Sequence, residues 1–177
     1  MTRLWTPLLA LLVTGCVGQV YSAATDERSV GDQAADARIC TSIRSSLLVK
    51  DSGSLSVLDV FCHNQLVVIA GALPPNYKLA AEAVQVAKGT SGVKCVETFF
   101  VAKPAQDTGD SVIAGKVKLK LIGNTSLTTA GTDLTAVGGT VVLVGVVDDR
   151  AKLDKIIAHA RSVEGVKSVK SFIQVKQ

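Results

Sequence analysis

The sequence predicts an α+β fold made of two tandem copies of one small unit, each ordered αββαβ, with two helices packed on a three-stranded mixed sheet. Self-similarity is the first observation. At an offset of 74, Asp36 pairs with Asp110, Ile39 with Ile113, Ile43 with Val117, Leu47 with Leu121 and Asp59 with Asp133. Val67, Val68 and Gly71 then meet Val141, Val142 and Gly145, and after one deleted residue Gly92, Val93, Lys94, Val96 and Phe99 meet Gly165, Val166, Lys167, Val169 and Phe172. A change of period within each copy, from helical spacing to strand alternation and back, is the second observation. The third is composition: 177 residues, 47% hydrophobic, 19% charged and 4% aromatic, which excludes a disordered chain and a polytopic membrane protein.

Each element follows from local chemistry. Ile39, Ile43 and Leu47 recur on one helix face, with Asp36 as the predicted helix start. Leu58, Val60 and Cys62 alternate in the first copy, as do Thr132, Leu134 and Ala136 in the second, and Asn64-Gln65 or Gly138-Gly139 makes a two-residue hairpin turn. Gly71 or Gly145 ends the next strand. A second helix spans about Tyr77 to Lys88 or Ala151 to Ser162, and Gly92-Val93 or Gly165-Val166 leads into the last strand. Small units bury modest cores, so the two copies are expected to lean on each other.

The amino end reads as an address. Arg3 precedes the apolar run Leu4 to Val13, too short to span a bilayer, and Val13-Thr14-Gly15-Cys16 resembles a lipobox, cut before a cysteine that becomes acylated. The predicted organisation is a signal peptide over residues 1–15, a tether over 16–35, the first unit over 36–103, a linker over 104–109 and the second unit over 110–177. Two or three acyl chains on Cys16 anchor the chain nearly irreversibly. The competing reading is an ordinary secretory peptide cut near Ser22-Ala23-Ala24.

The repeat resembles the BON domain, named for bacterial osmotic-shock and nodulation proteins. The resemblance rests on Val67-Val68-Ile69-Ala70-Gly71 with Val93-Lys94-Cys95-Val96 and on Val141-Val142-Leu143-Val144-Gly145 with Val166-Lys167-Ser168-Val169. With the lipobox and the lead-in Asp26-Glu27-Arg28-Ser29-Val30-Gly31, it implies a dual-BON outer-membrane lipoprotein facing the periplasm. It also implies a non-enzymatic role in envelope integrity, at division sites, with a second domain that binds anionic phospholipid such as phosphatidylglycerol or cardiolipin.

Charge distribution points the same way. Residues 26–109 hold eight Lys/Arg and nine Asp/Glu, net −1, whereas residues 110–177 hold ten and six, net +4. A basic half in an exported chain suits lipid headgroups better than nucleic acid, and no aromatic series is present for base stacking. On the first helix of the second copy, Val112, Leu119 and Ile122 project away from the core stripe beside Lys116, Lys118 and Lys120. Such a face suits the headgroup boundary. The equivalent first-copy residues are Arg38, Ser45 and Leu48, and the resemblance places Val112 where dual-BON lipoproteins carry an exposed Trp. Two other uses of the strip are open: a seam against the first copy, or a scaffold face for an envelope assembly, protease or cell-wall partner.

No catalytic constellation is expected. His63 and His159 are read as surface or boundary residues with no nucleophile placed by a motif, and Gly109 to Lys116 fails as a phosphate loop because its glycine spacing is one residue long and Val117 replaces the Ser/Thr. After Cys16, Cys40, Cys62 and Cys95 remain, without metal-ligand spacing. Cys40 and Cys62 replace Ala114 and Ala136 of the other copy and are read either as a disulfide or, more commonly, as buried thiols. No metal or cofactor is expected.

Overall fold

Ser29 starts the first helix. Its hydroxyl accepts the Asp32 backbone N–H at 3.1 Å and donates to the Asp32 carboxylate at 2.6 Å, satisfying a donor that a helix start otherwise leaves open. The computed structural model describes residues 26, 28–74, 77–106, 108–124 and 131–176; the predicted signal peptide, Cys16 and residues 17–25 of the tether lie outside them. Helix α1 runs Val30–Lys50. The expected start at Asp36, and a tether reaching residue 35, are corrected by this cap. Asp36 lies inside the helix and spends its carboxylate elsewhere.

A single helical turn at Ser54–Ser56 leads to β1 (Leu58–His63), β2 (Leu66–Leu73), α2 (Leu79–Gly89) and β3 (Cys95–Ala102). The second unit repeats the order as α3 (Asp110–Ile122), β4 (Thr132–Val137), β5 (Thr140–Val147), α4 (Arg150–Arg161) and β6 (Ser168–Val175). In each sheet the first two strands form an antiparallel hairpin. The third then pairs parallel with the second, through the helical crossover that a parallel connection needs. Strands β2 and β5 continue two residues past Gly71 and Gly145, where they were expected to end. A Cβ at Gly71 would run into the Val57 carbonyl oxygen, and one at Gly145 into that of Gly131.

An aspartate in each unit ties its first helix to its hairpin. Asp36 accepts the backbone N–H groups of Asn64 and Gln65 at 2.7 and 3.0 Å. Asp110 accepts those of Gly138 and Gly139 at 2.8 and 2.7 Å. The turn residues have positive φ, 50° and 65° in the first unit and 63° and 83° in the second, as a tight hairpin demands. The first unit pays a steric cost with Asn64-Gln65 that the glycines avoid. Arg28 adds to that unit, donating to Asp36 at 2.8 Å and to Asp26 at 2.7 Å.

Alternation along the central strands divides the core. Val67 and Ile69 of β2 face Ile39, Ile43, Leu47, Ala83 and Ala87 from the helices. The corresponding layer of the second unit joins Val141 and Leu143 to Ile113, Val117, Leu121, Ile156 and Ala160. The opposite faces meet each other: Leu66, Val68 and Ala70 pack on Val137, Val142 and Val144. The molecule is therefore four layers, helices, sheet, sheet, helices. Burial on both faces explains why these strands read as continuous apolar runs, and each fully buried aliphatic side chain contributes about 1.5–3 kcal/mol.

Polar bonds rim this seam. Thr135 donates to Asp59 at 2.8 Å, Asn64 donates to the Gln174 side chain at 2.9 Å, and His63 Nε2 lies 2.9 Å from Asp133 Oδ2. His63 is thus a boundary residue in a literal sense, buried between the units. Cys40 of α1 is bonded to Cys62 of β1, with Cα atoms 5.7 Å apart. Buried free thiols, the commoner expectation, are replaced by a covalent staple that the second unit lacks. Cys95 is a free thiol and is exposed.

Candidate functional site

The candidate surface is built on α3. Asp110 holds one end against the β4–β5 turn, and Ile113, Val117 and Leu121 bury the inner stripe, so the helix has a single orientation on its sheet. At about 100° per residue, the remaining apolar positions must turn outward. Val112, Leu119 and Ile122 are 59%, 73% and 60% exposed, and the seam is made by the sheets, so these side chains do not serve the contact between units. That removes the expected alternative of an interdomain seam at this strip.

Lysines border the strip. Lys116, Lys118 and Lys120 are all exposed. Lys116 Nζ reaches Glu164 at 3.4 Å and Lys120 Nζ reaches the Ser162 carbonyl oxygen at 3.5 Å, both at the turn that ends α4. Exposed pairs of this kind contribute little and exchange readily with solvent partners. The face thus offers three outward apolar groups and three ammonium groups on long stems, an arrangement that places apolar mass below and charge above a polar boundary.

The first unit presents a different face. Arg38 and Ser45 occupy the positions of Val112 and Leu119, and only Leu48, matching Ile122, is an exposed apolar group. Val30 and Val49, at the ends of α1, are also exposed.

The groups whose titration is shifted near the seam, Asp26, Arg28 and Asp133, gather around His63 and not on α3. The His63 hydrogen bond holds the carboxyl of the largely exposed Asp133 below its ordinary range against partial desolvation, helped by the charges of His63, Arg28 and Lys118. Burial pushes Asp26 up, but the hydrogen bonds and charge of Arg28 outweigh this and hold it low. For Arg28 burial acts downward, and its two carboxylate partners win and raise it. Nothing in the spacing of Asp26, Arg28 and Asp36 announces this cluster; the turn that Asp36 grips is brought to it only by the fold. His159 Nε2 lies 2.9 Å from the Asn124 side-chain amide. Among the described residues no group of three His, Cys, Asp or Glu side chains is placed to hold a metal ion, and no helix is long and apolar enough to cross a membrane.

The chain is 28% identical to osmotically-inducible protein Y of Escherichia coli (strain K12) over 200 aligned residues, covering 99% of each chain. It is 27% identical to an uncharacterized protein in the gshII 5′ region of Anaplasma centrale, over 80% of this chain and 95% of that one. Among solved structures, the C-terminal domain of CdsD, the structural protein of the type III secretion system of Chlamydia trachomatis, aligns over 80% of this chain and 67% of its own, at 14% identity and a TM-score of 0.34. Residues 109–177 match the BON domain family. The second unit, from the turn before α3 to the end of β6, is therefore a BON domain.

Proposed function

We propose that this chain is a non-enzymatic envelope lipoprotein of the DolP kind with two BON domains, acylated at Cys16, anchored in the outer membrane and facing the periplasm. Its second unit binds anionic phospholipid, phosphatidylglycerol or cardiolipin, through α3, and the protein supports envelope integrity at division sites. The observation that carries the reading is the exposed strip Val112, Leu119 and Ile122 beside Lys116, Lys118 and Lys120. Each lysine near an anionic surface contributes about 1 kcal/mol, and a lipid anchor raises the local concentration so that modest affinity suffices. The net +4 of residues 110–177 supports the assignment to this unit, and a relative named for osmotic induction suits an envelope setting. Valine at position 112 has less interfacial affinity than Trp, so Leu119, the most exposed apolar side chain of the strip, carries the larger share of the contact in this reading.

A second reading keeps the same face but gives it a protein partner of the envelope. The exposed apolar strip Val112, Leu119 and Ile122 favours it, since an apolar protein surface can cover such a strip as well as a lipid boundary can. Co-sedimentation of the chain from Val17 onward with phosphatidylglycerol vesicles, against phosphatidylcholine, tests the two. Salt-sensitive binding that Lys116→Glu/Lys120→Glu and Leu119→Asp both lose supports the lipid reading. No binding by a folded wild-type chain rejects it.

A further inference from the structure

The two units differ sharply at the open end of their sheets, where β2 and β5 leave toward the second helix. In the second unit, Lys152 and Lys176 converge on one carboxylate, Asp148, at 3.7 and 4.0 Å. Lys78 and Lys103 hold the same places in the first unit. The backbone confirms the register: Lys103 N–H donates to the Leu73 carbonyl at 2.7 Å, as Lys176 N–H donates to that of Val147 at 2.9 Å. The position of Asp148, however, is Pro74. Among the described residues neither Lys78 nor Lys103 has an ion-pair partner, and α2 starts without the side-chain cap that Asp149 gives α4.

A groove takes the place of the internal carboxylate. Leu73, Pro74, Tyr77 and Phe100 line it, with Lys78 and Lys103 among its walls. Its lining is mainly apolar, so the missing anion would arrive on an apolar body. Phe100 belongs to β3, the outer strand of its sheet, and no described strand pairs with the free edge of β3. Such an edge offers backbone N–H and C=O groups that a peptide can use and an acyl chain cannot.

We propose that this groove binds the terminal carboxylate of a protein partner's peptide, with an aliphatic or aromatic last side chain against Leu73, Tyr77 and Phe100 and the carboxylate between Lys78 and Lys103, where Asp148 sits in the second unit. This site lies in the other unit from α3 and does not depend on lipid binding. The test uses the chain from Val17 onward and fluorescein-labelled hexapeptides ending in Phe, Leu, Ile or Val, each as free acid and as amide, followed by anisotropy and by backbone amide NMR shifts. At least one free acid is expected to bind with Kd below about 1 mM, shift the Tyr77 and Lys103 amides, and bind about tenfold tighter than its amide. Lys78→Glu/Lys103→Glu is expected to abolish binding. Pro74→Asp, which supplies the carboxylate in cis, is expected to weaken binding about tenfold with no loss in melting temperature. Equal binding of acid and amide, full binding by Pro74→Asp, no binding by any peptide, or shifts at these amides with decanoate but no peptide would each overturn the proposal.

Discussion

His63 Nε2 and Asp133 Oδ2, 70 residues apart in the chain, lie 2.9 Å from each other across the seam between the two units. The bond makes the seam sensitive to acid. Asp133 is held below its ordinary value of 3.8, so the carboxylate's contribution is complete above that value and is lost as pH falls through and below it. Asp26, also held low by Arg28, adds to the loss in the same window. Urea midpoints are expected to change little from pH 7 to 5 and to fall steeply below about pH 4. Asp133→Asn is expected to lower the midpoint at pH 7 and to flatten the acid limb.

The aspartate clasps predict an inequality between the units. Asp36 is buried, accepts two turn N–H groups and carries Arg28; Asp110 accepts two turn N–H groups alone. Asp36→Ala leaves both N–H groups and a partly buried guanidinium short of a partner and is expected to cost about 3 kcal/mol or more. Asp110→Ala is expected to cost about 2 kcal/mol, because its glycine turn is less strained. Chemical denaturation of both variants checks the order, and Asp36→Asn, which keeps an acceptor, should fall between wild type and Asp36→Ala.

The disulfide predicts a one-sided response to reductant. Closing a loop with a sequence separation of 22 restricts the unfolded first unit by about 3 kcal/mol. Cys40→Ala/Cys62→Ala recreates the alanine pair of the second unit at positions 114 and 136. It should lower protection against amide hydrogen exchange in α1 and β1 while leaving α3 and β4 nearly unchanged.

Stacked sheets predict that the seam is essential to both units. Val142 is buried against the other sheet. Val142→Asp would strand a charge there and is expected to destabilise the chain by more than about 3 kcal/mol. Leu119→Asp, on the outward face of α3, is expected to change stability by less than about 0.5 kcal/mol.

Much of this architecture is legible in the residues. The helix stripe of Ile113, Val117 and Leu121 leaves Leu119 facing outward by geometry alone, and the strand alternation with Gly138-Gly139 locates the hairpin. What covers the second face of β2 and β5 is not legible. A run such as Val67 to Ala70 states that both faces are buried without naming their neighbour, so the sheet-on-sheet seam and the His63–Asp133 bond needed the fold. Helix α1 begins before its apolar stripe does. Its Ser29–Asp32 cap lies in a polar, small-residue stretch that resembles a tether.

Lipid binding through α3 requires Leu119 to enter the membrane surface. The chain from Val17 onward has no Trp, so Leu119→Trp supplies a single reporter, and Ser45→Trp supplies its counterpart on α1. Fluorescence emission of each is measured with phosphatidylglycerol vesicles and with phosphatidylcholine. The account predicts a blue shift for Leu119→Trp with the anionic vesicles, reversed by high salt, and none for Ser45→Trp. An unshifted spectrum for Leu119→Trp in a folded chain, or equal shifts at both positions, would contradict it.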